Sequence, residues 1–177
     1  MWMYVSSMKT LFVFLSLMFA NQTFSAEVKT VPNVDLHLYS GTWNQISYLP
    51  TIFQGACTIN TTATYTPNAD GTIIVENRCE KPNGTKKYIK GYAYEADRAT
   101  HAKLKVKFFW FAPAADYWVI DLEPNYEFAV VGSPSRKYMW ILSRNPVMAK
   151  STYDGILERA KAQGFNVDHL QITGKVE

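Results

Sequence analysis

Three histidines, His37, His101 and His169, are the side chains best suited to proton transfer near neutral pH, and none has a Cys, Ser or carboxylate partner at the spacing of a catalytic motif. Gly-x-Ser-x-Gly, His-Glu-x-x-His and Cys-x-x-Cys are absent from the sequence. The chain therefore reads as a non-enzyme, without cofactor and without a metal centre. The chemistry that residue types and spacing do support is ring stacking. Gly41-Thr42-Trp43 stands near the start, and Tyr138-Met139-Trp140-Ile141-Leu142-Ser143-Arg144 stands towards the other end. A Gly lets the backbone turn sharply beside a bulky neighbour. An indole close to it can plug the end of a small barrel while a guanidinium stacks on its outer face. Gly41, Trp43 and Arg144 are accordingly the expected closure of such a barrel.

The segments between these two sites must then be strands. Trp43–Leu49, Thr58–Thr66, Thr72–Cys79, Lys87–Glu95, Lys103–Phe109, Tyr117–Leu122, Glu127–Val131 and Tyr138–Ser143 are short β-type runs. Asp70-Gly71, Asn83-Gly84, Glu123-Pro124-Asn125 and Gly132-Ser133-Pro134-Ser135 separate them as turn signals. That order predicts an all-β protein, an eight-stranded antiparallel up-and-down β-barrel that can hold one small ligand. After Arg144 the period changes to that of a helix. Tyr153, Ile156, Leu157 and Ala160 recur at helical spacing, with Ser151 as cap, Asp154 three residues on and Gly164 as the stop, and Tyr153, Ile156 and Leu157 would face the barrel. Val167–Ile172 is expected to add a short last strand.

Met8-Lys9-Thr10 leads into an apolar run from Leu11 to Ala20 and then into Thr23-Phe24-Ser25-Ala26. This reads as a secretory signal peptide over residues 1–26, too short in its apolar part to span a bilayer. Residues 27–177 then form a single domain. Losing Lys9 leaves 17 Lys and Arg against 15 Asp and Glu, a net charge of about +2 that offers no basic stripe for nucleic acid. Lys103, Lys105 and Lys107 alternate with Leu104, Val106 and Phe108, so the lysines are the solvent face of a strand and the apolar set points inward. Cys57 and Cys79, the only cysteines, flank the Asp70-Gly71 turn and are sent to an oxidising compartment, so they are expected to form a disulfide. Their spacing about that turn is out of register, which requires a bulge or a looping approach to the second strand.

Taken together, Tyr39-Ser40-Gly41-Thr42-Trp43, Ala63-Thr64-Tyr65, Asp70 to Asn77, Leu104 to Phe108, Tyr117-Trp118-Val119-Ile120 and Trp140 to Pro146 resemble the lipocalin family. The resemblance is greatest to its bacterial, plant temperature-induced and apolipoprotein D branch, and runs from about Val34 to Leu170. Bacterial members of that branch are acylated on a Cys at the cleavage site. No Cys precedes Cys57, so the expected location is soluble in the periplasm, with secretion beyond the cell as the alternative.

Parity in the last strand places Trp140 and Leu142 on the same side as Arg144, inside the barrel above Trp43. Tyr117 and Val119 alternate with Trp118 and Ile120, two apolar sets between which periodicity does not choose; the resemblance implies that Tyr117 faces the pocket. It likewise implies that Tyr65, Asn77, Phe108 and Trp140 line it, with Val106 and Val119 completing the set. Asp121, of the same parity as Tyr117, is either a strand-end charge or a head-group contact. Such a lining implies a small hydrophobic or amphipathic ligand of the fatty-acid or lysophospholipid class, in an envelope lipid-maintenance role. Phe53 in the first loop and Trp110-Phe111 in a later one are expected at the rim, as a lid and as a contact with a membrane surface. A lipid-modifying enzyme on the same barrel, and a ligand-free structural protein of the envelope, are the alternatives.

Overall fold

Alternation of apolar and polar residues from Gly41 to Ser143 builds one continuous antiparallel sheet that closes on itself. The structure, a computed structural model, describes residues 26–51 and 57–177. A one-turn helix α1 (Leu36–Tyr39) precedes β1 (Gly41–Tyr48), β2 (Ile59–Pro67), β3 (Ile73–Glu80), β4 (Lys86–Glu95), β5 (Lys103–Lys107), β6 (Ala115–Leu122), β7 (Phe128–Gly132) and β8 (Met139–Ser143). Each strand pairs with the next, and β8 returns to β1 from Asn44↔Ser143 to Tyr48↔Trp140, which leaves the eight strands without a free edge.

The remaining elements seal the outside. β9 (Val147–Met148) leads to α2 (Lys150–Ala162), followed by a 3-10 turn at Val167–His169, β10 (Gln171–Ile172) and β11 (Lys175–Val176). β10 pairs with the upper half of β1 at Ser47↔Ile172 and Tyr48↔Gln171, above the point where β1 stops pairing with β2 at Asn44↔Thr62. The expected last strand is thus confined to two residues of Val167–Ile172. The Tyr153, Ile156 and Ala160 side chains of α2 are buried against Ile120, Val130, Met139 and Ile141, with Leu157 packed at the margin. Ser151 is not the cap: the helix begins at Lys150 after Ala149, with no side-chain cap bond, and Lys150 pairs with Asp154 one turn on.

Two register slips matter for the interior. Between Val119 and Asp121 the pairing of β6 with β7 shifts by one, so Leu122 returns to the interior and Asp121 does not. Asp121 instead faces α2 and pairs with Arg159 at 2.8 Å, so it is no head-group contact. The second slip lies between Ile59 and Thr62 of β2, with Asn60 at φ 47°. It supplies the irregular approach that the cysteine spacing required, and Cys57 and Cys79 are bonded with their Cα atoms 5.6 Å apart.

The apolar side chains divide into two clusters, one on each face of the sheet. Trp43, Tyr65, Val75, Leu104, Val106, Val119, Val131 and Leu142 belong to the inner cluster. Trp118 and Ile120 belong to the outer one under α2, which assigns Tyr117 and Val119 to the inside. At Gly91 on the inner face a Cβ would lie 2.6 Å from the Lys107 carbonyl oxygen and 2.6 Å from the Phe108 ring, so only glycine lets that ring fold over β4.

Candidate ligand-binding site

The closed end is assembled from the N-terminal turn and the two distant segments. Asp35 caps α1 by accepting from the backbone N–H groups of His37 (2.8 Å) and Leu38 (3.2 Å). That turn carries Tyr39 under the barrel, where its carbonyl accepts from Trp43 Nε1 at 2.8 Å. Gly41 follows at φ 90°, and a Cβ there would stand 3.5 Å from Arg144 Nη1. The Arg144 guanidinium lies 3.8 Å from the Trp43 ring centroid. It also donates to three backbone carbonyls, Thr42 at 3.0 Å, Leu38 at 2.7 Å and Ser40 at 2.9 Å. Trp43 is fully buried between this cation and the interior.

Above Trp43 three phenols meet. Tyr39 Oη and Tyr117 Oη are 2.7 Å apart, and Tyr117 donates to Tyr65 Oη at 2.9 Å. Tyr39 lies 5.0 Å from Trp43 and 5.6 Å from Tyr65, centroid to centroid, and Tyr65 meets Tyr117 edge to face at 5.9 Å. Burial pushes the Tyr65 phenol up to about 12, and Tyr39 and Tyr117 well above their ordinary value. Tyr39, which the sequence presents only as a packing residue ahead of the first strand, is a full member of this floor. The Asp35 capping signal was the available clue.

This arrangement has a measurable pH dependence. An unfolded chain loses phenolic protons around 10, whereas the folded chain keeps that of Tyr65 to about 12. Folded molecules then bind more protons than unfolded ones, so stability is complete below about pH 10 and falls as pH rises through the window. Denaturant titrations should show this fall, and Tyr65→Phe should make it shallower. Identical slopes for parent and variant would remove Tyr65 from the effect.

The walls rise from that floor. Val106 and Val119 are buried in the inner cluster, and Phe108, Tyr117 and Trp140 pack against it while partly accessible. Asn77 sits on β3 opposite Ala63, one inward step from Val75, which pairs with Tyr65. Its Oδ1 is buried without a hydrogen-bond partner. Trp140 stacks on Tyr138 with centroids 6.2 Å apart, at the level where β8 meets Tyr48. The turns β3–β4, β5–β6 and β7–β8 lie at the end away from α1. Trp110 and Phe111 are in the β5–β6 loop, 88% and 70% exposed; their rings meet edge to face at 5.7 Å, and Phe111 stacks on Phe109 at 5.4 Å. Phe53 lies outside the described residues.

Comparison with known proteins accords with this geometry. Residues 34–175 match the family described as "Lipocalin-like domain". The chain is 41% identical over 154 residues to temperature-induced lipocalin-1 of Arabidopsis thaliana, covering 83% of this chain and 82% of that protein. It is 34% identical to the outer membrane lipoprotein Blc of Vibrio cholerae, with 81% and 84% covered, and 33% identical to bovine (Bos taurus) apolipoprotein D, with 81% and 78% covered. Among solved structures, insecticyanin from the tobacco hornworm Manduca sexta superposes with a TM-score of 0.67 over 85% of each chain at 22% identity, a likeness of fold.

Proposed function

The chain belongs to the lipocalin family, whose members bind small hydrophobic ligands, and from that premise we propose that it is a non-catalytic carrier of a single-chain amphipathic lipid, of the fatty-acid or lysophospholipid class. The observation that carries this reading is the apolar inner cluster, with the hydroxyl groups of Tyr39, Tyr65 and Tyr117 joined at its floor and Asn77 Oδ1 buried on the wall. Phe108 and Trp140 supply flat surfaces for an acyl chain, and the phenol and amide groups orient a polar end. The exposed Trp110–Phe111 pair at the mouth enters a lipid surface during uptake. Export through removal of residues 1–26 accounts for the disulfide, with the periplasm as destination and secretion beyond the cell as the alternative. The name of the Vibrio relative, an outer membrane lipoprotein, supports a role in the envelope.

A fatty acid or lysophospholipid added to delipidated protein should change tryptophan fluorescence saturably. Trp140→Phe should remove most of that change while leaving binding measured by calorimetry in place. Calorimetric binding with the fluorescence response intact in Trp140→Phe would move the ligand away from that indole. Failure of the parent to bind either lipid would mean that the barrel is filled by its own side chains.

A further inference from the structure

The outer surface of the barrel is apolar where α2 seals it, and that outer cluster contains no residue of β3, β4 or β5. On β4, alternation turns Tyr88, Lys90, Tyr92 and Tyr94 outward, and the three tyrosines are 54%, 50% and 45% exposed. Register gives each ring a cation as its cross-strand neighbour. Tyr88 stands opposite Arg78 on β3, Tyr92 opposite Lys107 on β5 and Tyr94 opposite Lys105. The first pair is already organised: the Arg78 guanidinium lies 5.3 Å from the Tyr88 ring centroid, and the Tyr88 hydroxyl donates to Glu76, which fixes the ring against β3.

The cations on this strip are not all neutralised. Lys105 is paired with Asp116 at 2.7 Å. Among the described residues no ion pair engages Arg78, Lys90 or Lys107. Glu76, the residue opposite Lys90, already accepts from Tyr88. Rings and uncompensated cations together call for an occupant with flat C–H faces and negative groups along its length. Dimensions narrow the choice. Six residues separate Tyr88 from Tyr94, roughly 20 Å along the strand, and the three strands span roughly 10 Å across. That strip of roughly 200 Å² is far below the roughly 800 Å² each partner brings to a stable protein–protein interface, so a linear chain fits it better than a folded partner. The Cys57–Cys79 bridge belongs to an oxidising compartment, where acidic polysaccharides rather than nucleic acids are the resident linear polyanions.

We infer that the outer face of β3–β5 binds a linear acidic polysaccharide, with sugar rings resting on Tyr88, Tyr92 and Tyr94 and carboxylate or sulfate groups lying against Arg78, Lys90 and Lys107. The site goes beyond the carrier reading and does not depend on it, because Val75, Ala93, Leu104 and Val106 turn the other face of the same strands to the lumen. A polymer held there keeps the protein on an acidic matrix while the barrel mouth stays free.

The test is fluorescence anisotropy of end-labelled probes titrated with the purified protein. The probes are an oligogalacturonate, a heparin-derived sulfated oligosaccharide, the neutral methyl ester of the first, and an oligothymidylate of equal charge. One or both acidic sugars should bind saturably, about tenfold tighter than the methyl ester and the oligothymidylate, and that affinity should fall about tenfold between about 50 and about 200 mM salt. Tyr92→Thr with Tyr94→Thr, which keeps β-forming residues on an exposed face, should weaken the acidic sugar about tenfold at every salt concentration. Lys90→Gln with Lys107→Gln should weaken it and flatten the salt dependence. Far-ultraviolet dichroism of both variants should match the parent. Unaltered affinity in the tyrosine variant would overturn the site, since charge attraction alone would then account for binding. Oligothymidylate bound as tightly as the sugars would overturn it in favour of single-stranded nucleic acid. Absence of binding by both acidic sugars would also overturn it, and would leave lipid binding in the lumen, measured separately by calorimetry with a fatty acid, untouched.

Discussion

Trp43→Ala is expected to destabilise the protein by about 4 kcal/mol, the largest single effect in the barrel, because it empties a fully enclosed site that no neighbour can refill. The indole is held from both sides. Its Nε1 donates to Tyr39, and Arg144 covers its outer face at 3.8 Å. Arg144→Ala alone should cost about 2 kcal/mol, since the guanidinium also joins the carbonyls of Leu38, Ser40 and Thr42 to the end of β8. Because both substitutions destroy the same stacking contact, the double variant should lose about 1 kcal/mol less than the sum of the singles. Denaturant titrations of the four proteins, followed by far-ultraviolet dichroism, measure all three quantities. Strict additivity, or an Arg144→Ala protein as stable as the parent, would show that cation and indole do not act as one closure.

Removing the disulfide is the second large effect. Cys57 and Cys79 close a loop with a sequence separation of 22, and joining them restricts the unfolded chain by about 3 kcal/mol in the chain-entropy account. They tether β2 where its pairing is weakest, beside the register slip between Ile59 and Thr62. The paired substitution Cys57→Ser with Cys79→Ser should therefore lower the denaturant midpoint by the equivalent of that amount, and reductant should bring the parent to the same value. Under denaturing, non-reducing conditions the parent should present no free thiol. Two reactive thiols per chain, or a double variant as stable as the parent, would count against the bridge as a stabilising element.

Legibility of the fold followed the strength of each local signal. The β5 alternation of Lys103, Lys105 and Lys107 with Leu104 and Val106 admits one orientation, because an ammonium group cannot enter an apolar interior. β6 offers no such contrast. Tyr117-Trp118-Val119-Ile120 is apolar on both faces since one face meets the lumen and the other meets α2, and the choice came from resemblance and then from the packing itself. For Asp121, counting in twos leaves a strand-end charge and a head-group contact both open, and the β-bulge, whose position depends on how β6 must bend to meet β7, decides against the head-group contact. Ser151 was misread for a similar reason: the C-terminal segment supplies the Glu177 carbonyl, to which Lys150 N–H donates at 2.6 Å, and holds the helix start without a side-chain cap.

By itself the sequence determined the eight strands, their order, the Gly41–Trp43–Arg144 closure, the cysteine pairing and the face that α2 presents, because each is written in periodicity or in a residue whose stereochemistry leaves little choice. Only the tertiary structure decided the polar floor. Tyr39 and Tyr117 are 78 residues apart and Tyr65 and Tyr117 are 52 apart, and no local pattern reports that their hydroxyls converge. The raised phenols of Tyr39, Tyr65 and Tyr117 and the buried Asn77 oxygen likewise arise only once the barrel has closed over them, so these properties are a product of burial rather than of any residue alone.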